Sequence, residues 1–151
     1  MTRRSAIILL GLFVAALAAV AADAARPSAK APIVNFSLPT FTDPDGYRSW
    51  LIRGSEAWMT ERNIIDVKEL SLTVFSGDAA NRVDTIMLSP AAHILTDEKI
   101  VTGSSTLRVI DLQKEFEAAG TGWRYTHKDK TVILNKKVRV VFRAPLPNIL
   151  K

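Results

Sequence analysis

The chain contains no cysteine among its 151 residues. That absence excludes a disulfide framework, a thiol nucleophile and a lipid-modified cysteine. Only two histidines occur, His93 and His127, and they stand far apart in the sequence. Because zinc sites draw their ligands mainly from clustered cysteine and histidine, the sequence predicts no metal site, and no motif for any other cofactor is present.

Motifs that carry catalysis are also missing. The run Gly103-Ser104-Ser105 lacks the G-x-S-x-G spacing of a nucleophile elbow, and no glycine-rich phosphate loop occurs. The run Asp43-Pro44-Asp45-Gly46 has fewer ligands than a calcium loop requires and is typical of an ordinary turn. The sequence therefore predicts a protein that is not an enzyme.

The N-terminus has the layout of an export signal. Two arginines, Arg3 and Arg4, precede an uncharged stretch over residues 5–22, and small residues follow up to Ala24. This pattern predicts a signal peptide over residues 1–24, with cleavage after Ala24. The alternative is a retained membrane anchor, since a helix of roughly 18 residues spans about 27 Å and the hydrocarbon core is about 30 Å thick. Both alternatives place the remaining chain in the periplasm, free or anchored to the inner membrane by residues 5–22.

The charge is modestly basic. The formal net charge is +5, with 20 basic and 15 acidic residues along the chain. Nucleic acid is not an expected partner for an exported protein. Anionic lipid head groups or an acidic protein surface fit the charge, and an effect on solubility alone remains the alternative.

The rest of the sequence is a series of strand-like segments separated by turn residues. Such segments recur about every ten residues, which is typical of an all-β sandwich, barrel or jelly roll. We divide the chain into a linker and first strand over residues 25–44, a β-domain over residues 45–143 and a C-terminal tail over residues 144–151. The predicted strands cover residues 33–38, 47–59, 64–75, 83–94, 100–110, 123–126, 131–134 and 138–142, and residues 127–130 are predicted as a polar tip between two of them.

Several of these segments are interrupted. The apolar alternation changes phase at Lys68-Glu69, and Gly54, Pro90 and Gly103 each break a strand-like run, so bulges or bends are expected there. Residues 111–120 have the signals of a short capped helix, but ten isolated residues form only a marginal helix, so the conformation of this stretch is left open. Residues 135–137 predict a turn.

Four stretches resemble a known family. They are residues 45–54, with a glycine and two aromatics before a strand; the interrupted strand 64–75; residues 87–92 followed by Ile100-Val101-Thr102-Gly103; and the closing residues 122–142. Their order resembles the periplasmic jelly-roll family of lipopolysaccharide export, the LptC-like proteins and the related LptA/OstA-like proteins. LptC-like members are closer, because they join a short N-terminal membrane segment to one such domain. The cleavage site keeps a soluble LptA-like role open.

The resemblance implies an all-β, open jelly roll of antiparallel strands that follows an N-terminal hydrophobic helix. It implies a non-enzymatic protein that binds lipopolysaccharide through the lipid A acyl chains and relays it. The implied partners are other jelly-roll proteins of the export bridge and an inner-membrane transporter complex, with no nucleic acid. The alternative is a periplasmic adaptor or structural domain that has a closed core and no lipid ligand.

Side chains alternate between the two faces of a strand, and this alternation selects candidate residues for an apolar groove between the sheets. Groove sites are mostly apolar and aromatic, although tryptophans in strands also serve core packing. The candidates are Trp50, Leu72, Val74, Ile86, Leu88, Trp123, Val140 and Phe142. The last predicted strand is expected at a sheet edge and is the candidate docking surface for a partner, with residues Val138, Arg139, Val140, Val141 and Phe142.

Overall fold

The computed structural model describes residues 31–143. These residues form seven β-strands and no helix, so none of them belongs to a helix able to cross a membrane. The predictions for residues 1–24, for the first part of the linker and for the tail over residues 144–151 lie outside the described residues. The strands are β1 (Ile33–Phe41), β2 (Arg48–Glu61), β3 (Ile64–Phe75), β4 (Val83–Leu95), β5 (Ile100–Asp111), β6 (Phe116–Thr126) and β7 (Thr131–Phe142).

The strands form one antiparallel sheet in sequential order, from β1 to β7. Each strand pairs with the strands before and after it in the chain, and β1 and β7 are the two edges. The predicted all-β, open, antiparallel architecture is therefore confirmed.

The sheet folds back on itself across its strands. Trp50 in β2 belongs to a cross-strand row that reaches Phe116 in β6. Tyr125 lies nine residues further along β6, which would place it about 30 Å away in a flat sheet. The ring centroids of Trp50 and Tyr125 are instead 6.0 Å apart. Folding is the only way to bring the two rings together.

A line of irregular residues marks the fold, and we call it the crease. Asn35, Glu69 and Lys137 have positive φ values of 54°, 51° and 52° although none of them is glycine. The pairing registers also shift between Leu88 and His93 in β4, between Gly103 and Thr106 in β5 and between Ala119 and Thr121 in β6. Such bulges bend a strand and end its regular alternation. In strand order the crease contains Asn35, Ser55, Glu69, Pro90, Ser104, Ser105, Gly122 and Lys137.

The crease divides the sheet into two arms that face each other, each named after one residue. The interior between them is the hydrophobic core, where Ile52, Leu72 and Leu107 are fully buried. The Trp50 arm comprises residues 36–41, 48–54, 70–75, 83–89, 106–111, 116–121 and 138–142. The Tyr125 arm comprises residues 33–34, 56–61, 64–68, 91–95, 100–103, 123–126 and 131–135.

One glycine shows how closely the chain packs at the crease. A Cβ atom on Gly103 would lie 2.6 Å from the Trp123 ring. Trp123 is 3% exposed and is the cross-strand partner of Gly103. The glycine predicted as a strand interruption therefore makes room for an indole ring on the inner face.

The structure decides the conformation of residues 111–120 and corrects the prediction for residues 135–137. Asp111 accepts hydrogen bonds from the backbone N–H groups of Gln113 and Lys114, as a helix cap would, but β6 already begins at Phe116. The ladder to β5 satisfies more backbone groups than a short isolated helix can. The turn predicted at residues 135–137 is wrong, because β7 runs unbroken from Thr131 to Phe142 and bends at Lys137.

Candidate functional site

A cavity of about 220 Å³ lies between the two arms, toward the β7 side of the sheet. Eight of the twelve residues that line it are apolar or aromatic, and the other four contribute polar or charged groups. The Trp50 arm contributes Val74, Thr85, Met87, Val109, Asp111, Phe116 and Ala118, the Tyr125 arm contributes Tyr125, Val132 and Leu134, and the turns contribute Lys114 and Lys130.

The apolar surface of the cavity continues to the open edge of the sheet. Val140 pairs with Ala118 and Phe142 pairs with Phe116, so both β7 residues belong to the inner face. They are 45% and 53% exposed because no strand follows β7. The Phe116 and Phe142 ring centroids are 6.2 Å apart. The groove is therefore accessible from the β7 edge.

Opposite the crease, the tips of the two arms are joined by a set of contacts that we call the clasp, formed by Ser49, Trp50, Tyr125 and His127. The His127 ring stacks on Trp50 with a centroid distance of 4.5 Å and an interplanar angle of 16°. Its Nε2 lies 2.6 Å from Ser49 Oγ, and its Nδ1 lies 2.9 Å from Tyr125 Oη. One ring nitrogen donates and the other accepts, so a neutral imidazole satisfies both contacts.

The environment of His127 keeps its ring neutral. Burial, together with the nearby charges of Lys99 and Lys130, lowers its pKa from 6.5 to about 4. A serine beside a histidine is the arrangement of a nucleophile and its base, but an efficient base has a pKa near the working pH. His127 is too weak a base for that role at neutral pH. We interpret the contact with Ser49 as a link between the arms.

Lys130 provides a second link between the arms. Its ammonium donates to the carbonyl oxygen of Phe75 at 3.1 Å and lies 3.5 Å from an Asp84 carboxylate oxygen. Lys130 belongs to the β6–β7 turn, whereas Phe75 and Asp84 belong to the Trp50 arm. Both links restrict separation of the arms, and Lys130 also places a positive charge at the cavity wall.

Four of the eight groove candidates are buried in the interior. Trp50, Leu72, Val74 and Trp123 are each 3% exposed or less. Val74 lines the cavity, while Trp50 belongs to the clasp. Together with the inward-facing Val140 and Phe142, six candidates share the inner face.

Ile86 and Leu88 do not face the groove, which corrects the prediction for these two residues. Cross-strand partners lie on the same face, and Leu72 pairs with Met87, whereas Leu88 pairs with Ser71. Ile86, Met87 and Leu88 are all apolar, so the sequence pattern alone did not show whether Met87 or its two neighbours face inward. The inner position belongs to Met87, which is 1% exposed.

Other cavity residues were missed by the sequence reading. Phe116 and Ala118 fall in the stretch whose structure was left open, and Val109 was assigned to a strand but to no site. Lys114 and Lys130 lie in turns. The sequence of a turn does not indicate whether a charged side chain points toward a cavity or toward solvent. The pairing of Ala118 with both Val109 and Val140 would have required the strand order.

The outer face carries the contact that fixes the β7 edge. The Glu117 carboxylate accepts hydrogen bonds from Arg108 in β5 and from Arg143 just after β7, the latter at 2.9 Å. These hydrogen bonds, first from Arg108 and then from Arg143, lower the pKa of Glu117 from 4.5 to about 2. The carboxylate therefore bridges the strands on either side of β6 at any neutral or mildly acidic pH.

The chain matches no protein-family model and no curated protein sequence.

Proposed function

We propose that this protein is a non-enzymatic periplasmic carrier of the lipopolysaccharide export pathway, which binds lipopolysaccharide by its acyl chains and relays it. The observation that carries the proposal is the cavity between the arms, whose lining residues Phe116 and Ala118 pair with exposed apolar residues at an open sheet edge. The folded sheet is then the counterpart of the open jelly roll that the sequence resemblance implies. The groove residues are those of the inner face.

Carrying an acyl chain through water without such a groove would have a large cost in free energy. Removing each methylene group from water contributes about 0.8 kcal/mol, so a long acyl chain represents on the order of 10 kcal/mol. An apolar groove offers that stabilisation without covalent chemistry. The wall residues Val74, Met87 and Val109 supply the apolar surface. The lysines at the ends of the strands supply charges that suit an anionic head group.

The cavity volume limits how much lipid enters the closed form. A dry cavity of about 150 Å³ accommodates one benzene molecule, so a volume of about 220 Å³ fits a segment of one acyl chain. A lipid with several chains requires the arms to separate further. The clasp and Lys130 hold the arms together, so release of these contacts is the step that admits the larger ligand.

The open edge supplies the route to a partner. An edge strand presents unpaired backbone donors and acceptors, to which another strand can add. The β7 edge lies next to the accessible side of the groove, so a second jelly-roll protein added there would meet lipid leaving it. Val138, Arg139, Val140, Val141 and Phe142 form this docking strand in the proposal, and the inner-membrane transporter complex is the donor of the lipid.

A pair of adjacent alanines provides a matched test. Ala118 lines the cavity, and its neighbour Ala119 points to the outer face, where it pairs with Arg108 and Arg139. Ala118→Phe fills the cavity and should reduce lipopolysaccharide bound to the purified protein several-fold, whereas Ala119→Phe should not. Circular dichroism checks that both variants fold, since overpacking costs about 1–3 kcal/mol. Equal lipid binding by both variants would refute the groove as the lipid site.

A specific observation favours the adaptor as the second candidate. The interior next to β2 and β3 is solidly packed, since Ile52 and Leu72 are fully buried and Trp50 is 3% exposed. A domain packed throughout in this way would serve docking alone. The adaptor is the better interpretation if wild-type protein binds a partner strand but no lipopolysaccharide.

A further inference from the structure

The cavity between the arms is polar at one end and apolar at the other. One cross-strand row of its wall is Val74, Thr85, Asp111 and Phe116. The next row is Met87, Val109 and Ala118. The second row lies two residues nearer the crease, about 7 Å away, and none of its side chains is polar. On the Trp50 arm, polarity therefore increases from the crease toward the turns.

The opposite arm has the same polarity. Lys130 lies in the β6–β7 turn, Val132 follows at the start of β7, and Leu134 lies two residues nearer the crease. All three line the cavity. An alkyl chain whose end lies between Val109, Ala118 and Leu134 therefore has its polar end beside the turns.

Two charged groups at the polar end have no ion-pair partner within residues 31–143. Lys130 already pairs with Asp84. The Asp111 carboxylate accepts hydrogen bonds only from two backbone N–H groups of its own turn, and the Lys114 ammonium forms no ion pair in this part of the chain. Asp111 and Lys114 both line the cavity. One negative and one positive charge at the same end complement a head group that carries both signs.

The volume of the cavity limits the tail to one short chain. In proportion to the dry cavity of about 150 Å³ that accommodates benzene, a volume of about 220 Å³ accommodates about nine carbon atoms. The clasp and the contacts of Lys130 hold the arms together at this spacing. A second chain therefore has no room beside the first while these contacts persist.

We propose that the closed protein binds a single-chain zwitterionic lipid, the chemistry of a lysophospholipid. The tail lies against Val109, Ala118 and Leu134, the phosphate lies beside Lys114, and the ammonium group lies beside Asp111. This ligand uses the cavity of the proposed function, but it requires neither separation of the arms nor relay to a partner. It differs from lipopolysaccharide in the number of its chains and in the charge of its head group.

A series of alkylphosphocholines of increasing chain length tests the tail. Each is titrated calorimetrically into the whole, lipid-free protein below its micelle-forming concentration. Affinity should rise about fourfold with each added methylene, the effect of about 0.8 kcal/mol per group removed from water, and should level off at about nine carbon atoms. Ala118→Phe should move this limit to a shorter chain, whereas Ala119→Phe, on the outer face, should retain the wild-type limit.

Probes that share a decyl chain test the head group. Decylphosphocholine carries both charges, decanoate only the negative one and decyltrimethylammonium only the positive one. Lys114→Gln should weaken decylphosphocholine and decanoate about two- to fivefold, and Asp111→Asn should weaken decylphosphocholine and decyltrimethylammonium by a similar factor. The asparagine retains an acceptor oxygen for the turn. Lys128→Gln and Asp129→Asn, at exposed positions of the β6–β7 turn, are the controls.

The outcomes separate this inference from the proposed function. Affinity that keeps rising well beyond about nine carbon atoms, or that responds to neither charge substitution, would overturn the inference. Saturable binding of decylphosphocholine without lipopolysaccharide binding would retain the inference and overturn the proposed function. Lipopolysaccharide binding without saturable binding of any alkylphosphocholine would overturn the inference alone.

Discussion

Trp50 in β2 and His127 in the β6–β7 turn stack at a centroid distance of 4.5 Å, although 77 positions separate them in the chain. The contact joins the free ends of the two arms on the side opposite the crease. The groove between the arms is therefore bounded by the backbone of the crease on one side and by the side-chain contacts of the clasp on the other.

Removal of the Trp50 ring should destabilise the fold strongly. Trp50 is 3% exposed and contacts both Tyr125 and His127. Truncating a buried aromatic side chain to alanine costs about 3–5 kcal/mol, so Trp50→Ala should lower the free energy of unfolding by that amount in urea titrations. Trp58→Ala is the control, because Trp58 is only partly buried and its contact with Lys68 is worth about 0.5–1 kcal/mol. Similar losses in both variants would contradict a special role for the clasp.

Acidification should weaken the fold through His127. Its pKa is about 4 in the folded protein and 6.5 in its ordinary state. Between these values the unfolded chain binds a proton that the folded chain does not. The contribution of neutral His127 is therefore complete above pH 6.5 and is lost as the pH falls toward 4. Urea unfolding across this range should show the decline.

His127→Phe is the control for the pH effect. The variant keeps an aromatic ring beside Trp50 and removes the titrating group, although it also loses the contacts with Ser49 and Tyr125. It should be less stable than the wild type at pH 7 and should lose less stability between pH 6.5 and 4. A decline equal to that of the wild type would assign the effect to other groups.

The end of the Tyr125 arm beside the crease should be sensitive to a single methyl group. Gly103→Ala would place a Cβ 2.6 Å from the Trp123 ring, which is closer than two carbon atoms approach without strain. We expect a loss of about 1–3 kcal/mol in the free energy of unfolding. The neighbouring Ser104→Ala, at an exposed position, should stay within about 0.5 kcal/mol of the wild type. Thermal unfolding of the two variants compares them directly.

Proline substitutions should show whether the β7 edge docks a partner. Backbone N–H groups of successive residues in an edge strand point alternately to the inner neighbour and to the open side. Of Val140→Pro and Val141→Pro, one therefore removes a ladder bond to β6 and the other removes an outward donor. The variant that removes the outward donor should retain wild-type stability and bind the proposed jelly-roll partner more weakly. If the more stable variant binds that partner at wild-type strength, docking does not use the β7 edge.

The sequence predicted the strands well where alternation is regular and side chains are polar on one face. The phase change at Lys68-Glu69 predicted a bulge or turn, and Glu69 indeed has a positive φ while β3 continues on both sides. Alternation failed in β4, because Ile86, Met87 and Leu88 are all apolar and Pro90 interrupts the phase count. In that strand only the partner residues in β3 decide which side chain faces inward.

The candidate site was harder to predict because it depends on contacts between distant elements. The cavity exists only because the sheet folds, and the angle of the fold depends on backbone bends at many positions together. Nothing near His127 in the sequence indicates that it meets Ser49 and Trp50. Local patterns specify strands and their faces, whereas contacts across the interior also require the strand order and the crease.

The crease also determines where this chain can gain or lose a residue during evolution. Within a regular strand, one inserted residue turns every following side chain to the opposite face. At Glu69 the apolar alternation already changes phase, from Val67 on one side to Leu70 on the other, and both residues are buried. A homologue with one residue more or fewer at such a position would keep both arms intact. Insertions within strands should therefore concentrate along this line and be rare elsewhere, so an alignment is best made separately for the two halves of every strand.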